Sequence, residues 1–275
     1  MIKQNLHTHS LYCDGKNKIE DIVIEAIERG FNILGFSGHG YNRPIDDYSM
    51  TLENTELYYS DLKYVKQKYK DKIKIYVGIE EDSCGRYFKD KECLDYVIGS
   101  VHFINVNGKF EEVDLSKEVT DNIIKNGFNG SFIEYAKAYY NEVKKVSKWS
   151  EVDIVGHIDL LMKFNDNEEY ISFSDKEYLD IAYNCIDEII LNDKIIEVNT
   201  GAISRGYRTK PYPYVNLLKY INEKGGKICL NSDCHEKSNI DCYYNESMKI
   251  IKNCGFKNMM MLSDNGFLKK SIDEF

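Results

Sequence analysis

Short apolar runs alternate with amphipathic stretches along most of the chain. The runs fall at residues 33–36, 73–79, 96–101, 153–156, 195–198 and 227–230, with 2–6 as the first; each has strand length and is rich in Ile, Val or Tyr. Between them, Ile19, Ile22, Val23, Ala26 and Ile27 recur with a helical period that stops at Gly30. Residues 57–69, 132–146, 178–191, 214–221 and 243–254 behave in the same way. This order predicts an α/β protein of parallel β/α units, and seven such units predict a closed or nearly closed barrel. Periodicity does not show closure, so a doubly wound open sheet is the alternative. Residues 259–262 are a candidate eighth strand. Residues 103–130 break the pattern and are expected to form a long loop or lid at the barrel mouth.

Nothing marks a second domain. The 275 residues carry no internal repeat or Pro/Gly/Ser-rich linker, and the three prolines are Pro44, Pro211 and Pro213. A single catalytic domain over 1–275 is therefore expected, a length ordinary for one α/β barrel. With 43% hydrophobic and 29% charged residues the chain can bury a full core. No run approaches the roughly 18 apolar residues of a membrane span, and MIKQNLHTHS has no signal-peptide apolar core, so a soluble cytoplasmic protein is expected. A net charge of −9 argues against nucleic acid and anionic membrane as partners. An anionic substrate would then have to be held by local cations or bound metal. Only five of the 36 basic residues are arginine (Arg29, Arg43, Arg86, Arg205 and Arg208), which draws attention to the close Arg205/Arg208 pair. The eight cysteines form no CxxC and read as reduced thiols.

The six histidines, His7, His9, His39, His102, His157 and His235, each lie at or just after the C-terminal end of an expected strand. Glu80 and Asp233 occupy equivalent places. In a parallel barrel those ends share the rim on which active sites are built. Histidines used as ordinary polar residues would also fall within helices and tails; none does, and this joint placement points to a shared metal centre. In His7-x-His9 an extended backbone turns both rings to one face, and Asp233-x-His235 repeats that spacing. After the third run, alternation sends Glu80 and Asp82 to one face and Glu81 to the other. Asp14, beside Gly15, is either a further oxygen ligand or a turn residue. Eight or nine N/O ligands exceed the needs of one ion and suit two or three ions sharing a carboxylate. Imidazole and carboxylate without thiolate point to Zn, Mn or Fe. Such ions activate water and neutralise phosphoryl oxygens, which suits a phosphoester. Neither a GxSxG elbow nor a Walker A sequence is present.

The ordered segments HTHSLYCDG, GFSGHG, GIEED, GSVHF, VGHIDL, EVNTGAISRGYRTKPYP and NSDCH resemble the motifs of PHP-domain histidinol-phosphatases, from about residue 5 to about residue 240. The resemblance implies a distorted seven-unit β/α barrel with three divalent or trivalent metal ions. It places His7, His9, Glu80 and Asp233 around one ion, with Glu80 bridging to a second that also takes His102 and His157. The third would take His39, His235 and Asp14. Many relatives carry histidine near that last position in a C-x-H-G sequence, where this chain has Cys13-Asp14-Gly15; a carboxylate there suits Mn or Fe better than zinc. Arg205 and Arg208 would clamp the phosphate, a task that suits paired guanidinium donors.

The activity implied is hydrolysis of L-histidinol phosphate, a late step of histidine biosynthesis. A hydroxide bridging two ions, which also share Glu80, would attack phosphorus in line. Asp233 or a metal-bound water would protonate the leaving alkoxide. The alternatives are a PHP phosphoesterase acting on a nucleotide, sugar phosphate or phosphotyrosine, or a metal-binding module without catalysis. Tyr41, Asp46 and Asp47 are candidate contacts for the imidazole and amine of the substrate.

Overall fold

The computed structural model describes residues 1–42, 45–85 and 93–275, so Arg43, Pro44 and Arg86 lie outside the described residues. The strands are β1 (Gln4–Asn5), β2 (Ile33–Phe36), β3 (Lys74–Asp82), β4 (Tyr96–Ser100), β5 (Phe103–Val106), β6 (Lys109–Glu112), β7 (Ile154–Val155), β8 (Ile195–Asn199), β9 (Lys227–Asn231), β10 (Asn258–Ser263) and β11 (Gly266–Ser271). Seven of them form one all-parallel sheet in the order β1-β2-β3-β4-β7-β8-β9. The sheet nearly closes on itself. Just beyond β1 and β9, Thr8 pairs in parallel with Cys234: His9 N donates to Cys234 O (2.9 Å) and Cys234 N to His7 O (3.1 Å). The expected barrel is therefore observed, and the open-sheet alternative is not.

The crossover helices are α1 (Ile19–Glu28), α2 (Leu52–Lys68), α4 (Phe132–Ser147), α5 (Lys176–Leu191), α7 (Val215–Glu223) and α8 (Tyr244–Asn253), with two short helices, α3 (Lys117–Asn122) and α6 (Gly201–Ser204). Their starts are chemically marked: the side chains of Ser131 and Asp175 accept from the Glu134 and Tyr178 amides and cap α4 and α5. In α4 the buried face runs Phe132, Tyr135, Ala136, Tyr139, Tyr140, Val143 and Val146, a helical stripe laid on the sheet.

A second apolar cluster fills the barrel interior. It contains Leu6, Ile33, Tyr76, Tyr96, Ile98, Ile154, Ile195 and Cys229, and it is stoppered by Met260 and Leu262. Residues 259–262 are thus strand, but not the eighth strand of the barrel. They pair antiparallel with β11 across a tight turn and lie under the interior, where Gln4 accepts from Leu262 N (2.8 Å) and donates to Met260 O (3.2 Å). The reason is local: a short turn after Ser263 closes a hairpin before any crossover helix can form. Residues 103–130 are not a structureless loop either. They form the antiparallel β5–β6 hairpin, then α3 and a wider turn at Ile123–Gly127.

Tyr96 anchors the interior through its hydroxyl, which donates to Leu6 O and lies 3.1 Å from Phe36 O. Its ring passes so close to Gly78 that a Cβ there would come within 2.3 Å of it. Gly78→Ala should therefore overpack the barrel and lower stability by about 1–3 kcal/mol. The change should appear as a lower denaturant midpoint at constant m; an unaltered midpoint would contradict this packing.

Candidate metal centre

All six imidazoles meet over the C-terminal ends of the strands. Ring centroids are 5.0 Å apart for His102–His157, 5.3 Å for His39–His102, 4.3 Å for His9–His39, 4.0 Å for His9–His235 and 5.2 Å for His7–His9. Backbone pairing explains part of this convergence. Glu80 N donates to Gly38 O (3.1 Å) and Gly40 N to Glu80 O (2.8 Å), which sets His39 beside Glu80.

Glu80 stands at the middle of the cluster, 2% exposed. Its Oε2 lies 3.1 Å from His7 Nε2, 3.4 Å from His9 Nε2 and 3.1 Å from His39 Nδ1. Its Oε1 lies 3.0 Å from His157 Nε2 and 3.7 Å from His102 Nε2. Asp233 Oδ1 faces His9 (3.3 Å), His235 (3.4 Å) and His7 (3.7 Å). Asp14 Oδ2 lies 3.0 Å from His235 Nε2, and its Oδ1 lies 3.5 Å from His9 Nδ1 and 3.6 Å from His39 Nε2. Four overlapping donor sets result: His9, Asp14, His39 and His235; His7, His9 and Asp233; His7, Glu80 and His157; His39, Glu80 and His102.

These sets fit cations. His7 Nε2, His9 Nε2 and Glu80 Oε2 are buried, converge, and have no hydrogen-bond partner among the described residues. Buried polar atoms left unpaired are costly, and an ion bound between them satisfies all three at once. Electrostatics agree. Burial would raise the Glu80 carboxyl, but His7, His39 and His102 hold it well below its ordinary range. Burial together with His235 and His39 lowers His9 to about 3, keeping it in the neutral form that binds metal. Burial would lower His102 too, yet Glu80 and Asp82 carry it up to about 10.

Behind the cluster, carboxylates orient the rings. Glu197, fully buried in β8, takes His7 Nδ1 on Oε1 (2.7 Å) and the His157 amide on Oε2 (3.0 Å). Asn231 and Asn199 donate to the same two oxygens, each at 2.9 Å. Asp82 accepts from His102 Nδ1 (2.9 Å) and from its amide (2.8 Å), on the Glu80 side as alternation requires; Glu81 points away toward Gly40 and Gly85. Glu197 is not among the residues that strand-end placement marks, although a Glu inside an apolar run, in phase with Asn199, is a signal of an inward polar group.

Asp233 adopts φ +50°, a left-handed conformation uncommon outside glycine. Its carboxylate fits because position 201 is glycine: a Cβ there would meet Asp233 Oδ2 at 2.5 Å. Arg205 donates through Nη2 to that oxygen (3.1 Å) and lies 3.1 Å from His235 Nδ1 through Nη1, at the edge of a cavity of about 310 Å³ over the cluster. Arg208 does not line this cavity. It is 3% exposed, sandwiched between the rings of Tyr212 (4.0 Å) and Tyr214 (3.8 Å), with Nη1 3.7 Å from buried Asp159. Two aromatic faces and a carboxylate hold this guanidinium in the interior, apart from the described residues that line the cavity. Of the loop after His39, Tyr48 is among the described residues that line the cavity, and Asp46 lies near enough to act on Tyr48 and Glu112. The eight cysteines are free thiols, and no described helix is long and apolar enough to cross a membrane.

A parallel β/α barrel with a shared carboxylate among imidazoles at its rim defines a hydrolytic barrel that depends on divalent metal. The PHP domain family model matches residues 5–201, and the chain belongs to that family. It is 26% identical to a probable histidinol-phosphatase of Schizosaccharomyces pombe, over 97% of this chain and 92% of the relative. Its fold is that of a putative histidinol phosphatase from Listeria monocytogenes (TM-score 0.79, 21% identity, covering 89% of this chain and 99% of the other). It is also that of a histidinol phosphate phosphatase from Lactococcus lactis (TM-score 0.71, 23% identity, covering 97% and 99%), whose crystal structure holds zinc, L-histidinol and phosphate.

Because Glu197 fixes the His7 ring from behind, Glu197→Gln should weaken metal binding about 10–100-fold. Competition against a metal-sensitive dye measures this, and wild-type affinity in the variant would remove Glu197 from the site.

Proposed function

We propose that this protein is a metal-dependent phosphatase that hydrolyses L-histidinol phosphate to L-histidinol and phosphate in histidine biosynthesis. The observation that carries the reading is the buried, mutually unsatisfied set of His7 Nε2, His9 Nε2 and Glu80 Oε2 beneath a cavity edged by Arg205. Several relatives aligned along most of this chain carry histidinol-phosphatase names, which favours that substrate among phosphate esters.

We assign three ions, each Zn, Mn or Fe, to His7, His9 and Asp233 with Glu80, to Glu80, His102 and His157, and to Asp14, His39 and His235; by distance alone His157 groups with His7 and Glu80, and His102 with His39 and Glu80. His9 stands close enough to Asp14 and His235 to serve the last set as well. Bound there, divalent ions lower the pKa of water and neutralise phosphoryl oxygens. The chain's own groups do the rest. Arg205 supplies planar paired donors to the phosphate and is kept in place by Asp233. Asp233, with one oxygen toward the imidazoles and the other on Arg205, is held ionised by those neighbours and would relay to the departing alkoxide a proton taken from the attacking water. Glu197 and Asp82 hold His7 and His102 in the tautomers that leave Nε2 free. The whole chain serves as one catalytic domain acting on a small cytoplasmic substrate, with no role for nucleic acid or membrane.

Protein purified without chelator should carry more than one metal ion per chain and should release phosphate from L-histidinol phosphate with at least tenfold preference over a panel of nucleotide, sugar and aryl phosphates. Elemental analysis and steady-state kinetics test this; a smaller preference would refute the substrate, and less than one ion per chain would favour a non-catalytic module. His157→Ala and Asp233→Ala should abolish turnover while circular dichroism stays native. A fully active Asp233→Ala enzyme would discard both its acid role and its place in the ligand set.

A further inference from the structure

Glu197 receives His7 Nδ1 (2.7 Å) and Asp82 receives His102 Nδ1 (2.9 Å), so two of the rings that face Glu80 have a carboxylate behind them. His157 also turns Nε2 toward Glu80 (3.0 Å), but its Nδ1 is buried with no hydrogen-bond partner among the described residues. An imidazole that binds metal through Nε2 carries its proton on Nδ1. That N–H is almost always given to a carboxylate, a carbonyl or a water.

Two residues on, Asp159 is fully buried on the turn that Leu160 N closes by donating to His157 O (2.9 Å). Its Oδ2 accepts from the Tyr214 amide (3.0 Å) and lies 3.7 Å from Arg208 Nη1. Its Oδ1 is buried without a partner among the described residues, and so are Arg208 Nε and Nη1. Asp159 lies near enough to Arg208 and His157 to feel the charge of both. The Tyr212 ring that covers one face of Arg208 stands edge-on to His157, with 6.3 Å between centroids. Backbone pairing ties the same segment to the layer behind the ligands: Tyr212 N donates to Asn199 O (2.9 Å), and Asn199 Nδ2 donates to Glu197 Oε2 (2.9 Å). Unpaired donors and an unpaired acceptor thus gather beside one ring, at a depth where leaving them unsatisfied is costly. One water satisfies three of them, accepting from His157 Nδ1 and Arg208 Nε and donating to Asp159 Oδ1.

We propose that Asp159 is the positioning carboxylate of His157, acting on Nδ1 through one bridging water, and that Arg208 serves the metal centre by holding Asp159 rather than by touching substrate. This rests on the reading of the imidazole cluster as a metal centre and deepens it by naming the support of the ring that no side chain reaches directly. It also gives a task to a guanidinium that stands apart from the described residues lining the cavity.

Zinc-loaded protein titrated with a chelator, with the released metal followed by a dye, tests this beside kcat, KM and inhibition by inorganic phosphate. Asp159→Asn and Arg208→Lys should each weaken the ion that takes His157 about 10–100-fold and leave the other zinc at wild-type affinity. Turnover should fall through kcat and return with excess zinc, while KM and phosphate inhibition stay unchanged. Either variant breaks a buried ion pair and can unfold the chain, so a second measurement uses wild type. In zinc-loaded protein labelled with 15N-histidine, the His157 Nδ1 proton, identified by its absence from His157→Ala, should exchange slowly and show a cross-peak to bound water. A fast-exchanging proton, or one without that cross-peak, would overturn the proposal. So would wild-type zinc retention in folded Asp159→Asn, equal weakening of every ion, or weaker phosphate inhibition in Arg208→Lys. If the selective zinc loss is found and wild type leaves L-histidinol phosphate intact, the substrate assignment falls and the positioning role stands.

Discussion

Glu80 is a carboxylate with almost no access to water whose two oxygens face different groups of imidazoles. A charge so placed is tolerated only if positive charge surrounds it, and the neighbouring imidazoles cannot all be protonated because they crowd one another. The pull in opposite directions on His9 and His102 is a symptom of that crowding. Bound cations resolve the conflict, since they allow neutral imidazoles and ionised carboxylates to lie side by side. The chemistry proposed for the site follows from this constraint, because ions that settle the electrostatics of the protein are also suited to a phosphate ester.

The fold serves the constraint by making the rim rigid and the interior dry. Tyr96 ties β4 to the carbonyls of Leu6 and Phe36 on neighbouring segments, and the β10–β11 hairpin seals the far end with Met260 and Leu262. Ligands borne on short strands are thereby fixed relative to one another although they are hundreds of residues apart in sequence. Polar order continues one layer down, where Glu197 joins His7, His157, Asn199 and Asn231 in one buried network. Such a network is stable only when every member is satisfied, which makes it a firm support for the rings above it.

The two arginines show how far reading side chains from the chain alone can go. They lie three residues apart on one rim segment and both look like phosphate ligands. Yet the turn that brings Arg205 to Asp233 buries Arg208 between Tyr212 and Tyr214. Spacing could not separate them, because the difference comes from aromatic rings further along the chain folding back over one guanidinium. Tyr48 was not legible for the same reason: it sits on an irregular segment whose course over the mouth has no period to read.

The alternation of apolar runs and amphipathic stretches was enough to establish parallel β/α units though not their closure into a barrel, and the habit of histidines and acids to end those runs was enough to mark the rim, since strand direction and side-chain alternation are properties of the local backbone. Which oxygen of Glu80 faces which ring, which carboxylate stands behind His7, and that residues 259–262 form a stopper rather than a barrel strand were all settled by folding. Those features depend on contacts between segments remote in sequence, and only close packing decides them.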